Sequence, residues 1–152
     1  MKVRYTYIAL FVFSFLALQG CFCPPTVSIF AGKFPMQNMD TIKNAIQNES
    51  YSRYDSVDDV PHCVDYGSFK DCYYLTRYTK QIEAPSPQKS SMYIGLSFKK
   101  FDYPSDYYRN LAVSISPNRD DDANLMDEFT KMKDLMYKIV SENGGENLEI
   151  RK

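Results

Sequence analysis

The chain has no tryptophan, a single histidine and six glycines in 152 residues, and its charges almost cancel, with 18 basic against 19 acidic side chains. Each shortage removes a class of function. With His62 alone, no site built on two histidines can form within one chain, whether a metal centre or a catalytic dyad. No G-x-S-x-G elbow, glycine-rich phosphate loop or H-E-x-x-H pair is present. A net charge of −1 without a basic block is a poor match to nucleic acid, whose binding rests on neutralising phosphates. C-x-x-C spacing is also missing, which argues against a reactive-thiol pair.

The motifs that remain are fragments. Ser86-Pro-Gln-Lys89 and Ser97-Phe-Lys-Lys100 fit S-x-x-K, but no K-T-G partner exists and the chain is too short for that enzyme class. Asp120-x-Asp122-x-Asn124 opens like a calcium loop, yet Leu125 stands where the sharp turn needs Gly and Lys131 where a bidentate Glu is needed. Those acids read as a helix cap. His62, with Asp55, Asp58, Asp59 and Asp65 nearby, reads as a solvated loop histidine. Neither metal nor cofactor is expected.

What is present begins at the N-terminus. Lys2 and Arg4 precede an apolar run from Tyr5 to Leu18, which is fourteen residues. As a helix it reaches roughly 21 Å, short of a hydrocarbon core of about 30 Å, so it has the layout of an export signal. An A-x-A-like site is absent, because it needs small residues at both flanking positions and Ala17-Leu18-Gln19 ends in Gln. Instead, Leu18-Gln19-Gly20-Cys21 resembles the lipobox of bacterial lipoproteins. The resemblance implies cleavage before Cys21, acylation of that residue and attachment to a membrane through the lipid. Phe22, where Asp would retain such a protein at the inner membrane, implies an outer membrane with the domain facing the periplasm.

The reading divides the chain into a signal (1–20), a lipidated tether (21–26) and one domain (27–152). Removing residues 1–20 leaves 132 residues with 16 basic against 19 acidic side chains, a net charge near −3. Val27 and Ile29 alternate with Ser28, a pattern that fits a strand or a linker. Met39, Ile42 and Ala45-Ile46 recur at helical steps and predict a short helix from about 38 to 48, whereas Tyr51 to Val57 reads as strand or loop. Cys72–Glu83, Met92–Phe101 and a stretch bearing Leu111, Val113 and Ile115 read as three strands. Their connections, of about eight residues, are too short for helical crossovers and predict an antiparallel meander.

Residues 122–143 predict a long amphipathic helix through Leu125, Phe129, Met132, Met136 and Val140, started by Asp120, Asp121 and Asp122 and stopped by Gly144-Gly145. Asp127 with Lys131, and Asp134 with Lys138, are expected as outer pairs, and Leu148 and Ile150 as a final strand. The fold class is therefore α+β, an antiparallel sheet with the long C-terminal helix and the shorter N-terminal one on one face.

Cys63 and Cys72, separated by eight residues with Gly67-Ser68 in the middle, predict a hairpin or Ω-like loop clipped by a disulfide, as suits an oxidising compartment. Cys23 is left over; it stays free, pairs with another chain or replaces one member of that pair. Thirteen tyrosines and ten phenylalanines supply ring surface for a small core. In the loop 102–109, Tyr103, Tyr107 and Tyr108 are candidates for a contact surface, with packing over the sheet end as the even alternative. The functional expectation is a non-catalytic domain that binds a protein or envelope polymer. An inhibitor or immunity protein against an envelope-acting toxin, and a small envelope hydrolase, are the alternatives.

Overall fold

The computed structural model describes residues 24–54, 61–67, 70–83, 89–101 and 104–152. Strand β1 (Val27–Pro35) runs through a 3-10 turn (Met36–Asn38) into helix α1 (Met39–Asn48). Short strands β2 (Ser52–Arg53) and β3 (His62–Asp65) precede three long ones, β4 (Lys70–Ile82), β5 (Ser90–Lys100) and β6 (Tyr107–Pro117). Helix α2 (Ala123–Glu142) then leads to β7 (Glu149–Arg151). All pairings are antiparallel, in a seven-stranded sheet of order β2-β4-β5-β6-β1-β7, and β3 pairs with the first residues of β4.

The meander β4-β5-β6 is as the sequence predicts, and the α+β class holds with both helices on one face. Period-two alternation explains which face. Ile29 lies opposite Val113 and Val113 opposite Leu96, while Ile115 stands between Val27 and Ile94; all are buried. Leu125, Met132, Met136 and Val140 of α2 close over this row, and Met39, Ile42 and Ile46 of α1 pack beside them. Each such aliphatic side chain contributes about 1.5–3 kcal/mol by leaving water.

β1 is an interior strand, held by β6 on one side and β7 on the other, which excludes the linker reading of its sequence. Its alternation breaks at Gly32, opposite the left-handed Asn110 (φ 52°) of β6, and there the β5–β6 register slips between Ser97 and Lys99. Beyond this bulge Phe34 is buried, and the Tyr108 ring meets Phe98 at 4.2 Å between centroids. Lys33 and Arg109 fall on the other side of the sheet from them.

Two polar links fasten the helices. Asp122 caps α2 by accepting from the backbone N–H groups of Asn124 (3.0 Å) and Leu125 (3.3 Å), and it accepts a hydrogen bond from the Ser90 hydroxyl at 2.5 Å. Glu128 accepts from the buried Tyr51 hydroxyl (3.1 Å) and from the Lys80 ammonium (2.8 Å), so α2 is joined both to the segment behind α1 and to β4. Burial and then the Glu128 charge push the Tyr51 phenol far above its usual range. α2 ends as expected at a left-handed glycine, Gly144 (φ 88°), where a Cβ would also come within 3.0 Å of the Pro35 ring.

Four expectations shift. Asp134 pairs with its neighbour Lys133 at 3.3 Å rather than with Lys138. Lys131 pairs with Glu49 at the end of α1 rather than with Asp127, because that carboxylate is brought alongside by the packing of the two helices. β6 starts at Tyr107, so the loop before it is shorter than eight residues. Leu148 packs against the core and only Glu149–Arg151 pairs with β1.

The clipped hairpin is present. Cys63 lies directly across from Cys72 with Cα atoms 4.1 Å apart, and the two sulfurs are bonded. The turn is set by Gly67 (φ 79°), whose N–H donates to the Asp65 carboxylate at 2.8 Å.

Replacing Cys63 and Cys72 together by Ala should cost about 2–3 kcal/mol on the loop-closure account. Differential scanning calorimetry should then find the Tm lower by roughly 5–15 °C. The Ser90 hydrogen bond, reinforced by the two backbone donors, holds the Asp122 carboxyl below the usual carboxylate range despite its burial. Its stabilising effect is therefore complete above pH about 4 and is lost as pH falls through the lowered value. Urea titrations from pH 7 to pH 2 should show a shallower loss of stability in Asp122→Asn, which keeps a capping side chain without the charge.

Candidate binding surface

The residues singled out from sequence do not gather into one place. Cys21 and Tyr103 lie outside the described residues, as does Cys23. Cys63 and Cys72 form the base of the hairpin, where the bond has a structural role. Tyr107 and Tyr108, adjacent in sequence, separate because neighbouring residues in a strand point to opposite faces. Tyr108 turns inward onto Phe98, and burial raises its phenol pKa. Tyr107 stays outside, 40% exposed, beside a cleft of about 410 Å³.

That cleft is lined by Pro35, Met36, Gln37, Asp106 and Tyr107, and the Met36 N–H donates to the Asp106 carbonyl at 2.8 Å across its base. Among the described residues Asp106 is the one carboxylate on its walls, so no two-carboxylate hydrolytic arrangement is seen there among them. The S-x-x-K fragment on β5 is also divided. Ser97 faces away from the helices, and the Lys100 ammonium sits over the Tyr74 ring at 4.6 Å. His62 stacks on Tyr73 with centroids 5.8 Å apart, at the hairpin. Among the described residues no group of three or more His, Cys, Asp or Glu side chains is arranged to hold a metal ion.

The larger feature is the side of the sheet opposite the helices. Among the described residues no element packs over it. In its middle, β6 presents Ala112, Ser114 and Ser116, and neighbouring β5 presents Gly95 and Ser97. Ser28 of β1 hydrogen-bonds Ser114 hydroxyl to hydroxyl at 2.8 Å, and Thr26 meets Ser116 in the same way at 3.1 Å. The centre is thus low and lined with hydroxyls. Taller side chains flank it: Phe30 with the Arg151 guanidinium 4.0 Å above its ring on one side, Leu75 and Arg77 of β4 on the other. Tyr93 stands at one end, 43% exposed.

At the other end, beyond the bulge, Lys33 pairs in register with Arg109 and Arg109 with Lys99, a row of three cations on three adjacent strands. Asp71 reaches Lys99 at 2.5 and 2.6 Å, and the Arg109 guanidinium lies 5.9 Å from the Phe101 ring centroid. The alternation within Met92–Phe101 alone puts Tyr93, Gly95, Ser97 and Lys99 on one strand face. The missed signal was that Ser28 of β1 and Ala112, Ser114 and Ser116 of β6 continue this low face, with Phe30 rising beside them.

No family model matches the chain, and comparison with curated proteins and with solved structures finds no significant match.

The division of the tyrosine pair has a direct check. Tyr108→Ser should lower stability by roughly 2–4 kcal/mol, since it removes a ring packed on the core. Tyr107→Ser should stay within about 0.5 kcal/mol of the parent in urea unfolding.

Proposed function

We propose that the chain is a lipid-anchored protein of the bacterial cell envelope, whose small non-catalytic domain binds another envelope macromolecule. The observation that carries this reading is the distance between the Leu18-Gln19-Gly20-Cys21 motif and the domain. β1 begins at Val27, six residues after Cys21. Six residues span at most about 20 Å, so a lipid on Cys21 holds the sheet close to the membrane surface. The Cys63–Cys72 bond supports the same compartment, because such bonds persist where the surroundings are oxidising. Phe22 in place of Asp favours an outer membrane with the domain in the periplasm.

A binding role, rather than turnover, fits the described surface. Enzymes concentrate convergent polar groups in a pocket, whereas the described lining of the cleft carries a single charged group, Asp106, and the broad feature left uncovered by the described residues is a sheet face. Metabolic labelling with a clickable fatty acid should mark the wild-type protein and leave Cys21→Ser unmarked. The labelled form should follow the membrane fraction and leave it only with detergent. Equal labelling of both proteins, or a mature N-terminus other than Cys21, would contradict the reading.

A further inference from the structure

The chain leaves α2 through Asn143-Gly144, a pair in which the backbone can react with its own side chain. We propose that Asn143 is a site of spontaneous covalent modification, becoming an isoaspartyl link, and that Asn38 before α1 sets how fast this happens.

The reaction needs only water. The Gly144 amide nitrogen attacks the Asn143 carboxamide carbon and closes a five-membered succinimide ring. The bond from that carbon to the side-chain nitrogen breaks, and ammonia leaves with the proton that Gly144 gives up. Water then adds to one of the two ring carbonyls, and the C–N bond there breaks. Opening at the side-chain carbonyl leaves an aspartyl residue. Opening at the backbone carbonyl leaves an isoaspartyl link, in which the chain runs through the side chain. Glycine in the second position favours closure because no Cβ obstructs the nitrogen. Every other asparagine of the chain is followed by a residue that has a side chain.

The fold leaves the nucleophile open and restrains the electrophile. Gly144 has φ 88°, and among the described residues no acceptor is placed for its N–H. The N–H groups on either side are taken, that of Asn143 by the Ile139 carbonyl at 3.1 Å and that of Gly145 by the Val140 carbonyl at 2.9 Å. The half-buried Asn143 carboxamide points back along the helix, donating to the Ile139 carbonyl at 2.8 Å. Its own backbone carbonyl accepts from the Asn38 side chain at 2.9 Å, across 105 positions of sequence. Ring closure requires the carboxamide to leave Ile139 and the peptide unit between Asn143 and Gly144 to turn, and the Asn38 bond holds that unit still. The rate therefore follows the fraction of time the helix end is open. Losing one such hydrogen bond raises that fraction roughly three- to tenfold.

The product changes the structure around it. An ionised carboxylate accepts but cannot donate, so the bond to Ile139 is lost. The new charge stands at the negative end of the α2 dipole, with Glu142 and Glu146 close in sequence. The isoaspartyl link also lengthens the backbone by one methylene beside Gly144, which lies against the Pro35 ring. Just beyond, the Gly32 N–H donates to the Glu146 carbonyl at 2.8 Å and the Glu146 N–H to the Lys33 carbonyl at 3.0 Å. Modification thus loosens the connection that carries the chain from α2 along β1 into β7.

The test holds the full-length protein, purified in detergent, at 37 °C and pH 8 and follows it by peptide mapping with mass spectrometry. Isoaspartate is read separately, through labelling by an isoaspartyl methyltransferase. The Asn143 peptide should gain one mass unit before any other asparagine peptide, with the isoaspartyl form in excess. Raising the pH should speed the gain, because the attacking nitrogen must lose its proton. In urea, which removes the cap, conversion at Asn143 should be at least tenfold faster. Asn38→Ala should speed it three- to tenfold in the folded protein and leave the rate at Asn147 unchanged, whereas a general loss of stability would speed both. If Asn38→Ala fails to fold, the comparison with urea carries the test of the restraint. The converted protein should melt roughly 5 °C below fresh protein.

An Asn143 that never converts, or that is intact when another asparagine has converted, overturns the site. Equal rates in native buffer and in urea, or an unchanged rate in folded Asn38→Ala, overturn the restraint. Converted protein whose Tm and whose Gly32 and Glu146 amide exchange match fresh protein overturns the structural effect.

Discussion

Side chains on a strand alternate with a period of two, and everything in this domain follows from how that alternation is locked. Ile29, Val113 and Leu96 stand abreast on three strands under α2, and Val27, Ile115 and Ile94 form the next row. A slip of one residue in β6 would move Val113 and Ile115 into water and bring Ser114 under the helix. The cost of several buried aliphatic groups forbids it. The same lock that buries one face leaves the other with Ser28, Ser114 and Gly95. The uncovered surface is thus a necessary by-product of the core.

The helices depend on that sheet and are fastened to it by charge as well as by apolar contact. Glu128 is nearly enclosed, and a carboxylate there is tolerable because the Tyr51 hydroxyl and the Lys80 ammonium both donate to it. Removing either donor would leave a poorly solvated charge between α2 and β4. At the start of the same helix, Asp122 joins the cap to Ser90 at the beginning of β5. The two links lie on one helix, and both tie it to strands of the meander.

Much of this architecture was legible in the sequence where the pattern is long and regular. β5 carries four clean alternations, α2 carries a stripe over twenty residues with an acidic start and a glycine stop, and Cys63 and Cys72 frame a turn. β1 was ambiguous because Ala31-Gly32-Lys33 breaks its alternation at the bulge, and β2, of two residues, is too short to show a period. The surface was harder to read. Tyr107 and Tyr108 look like one cluster on paper but face opposite ways, and Lys33 meets Arg109 only through a register set by β1 and β6. Local composition cannot reveal neighbours that far apart.

The interior place of β1 also governs when the domain can form. Ser28 and Ser114, which touch across the sheet, are 86 positions apart in the chain. The first strand to emerge from any synthesis or translocation machine must therefore wait, unpaired, for one of the last. β4, β5 and β6 can meet as local hairpins in the interval, and closing a long loop late is slow. A chain ordered in this way completes its core only once β6 is in place beside β1.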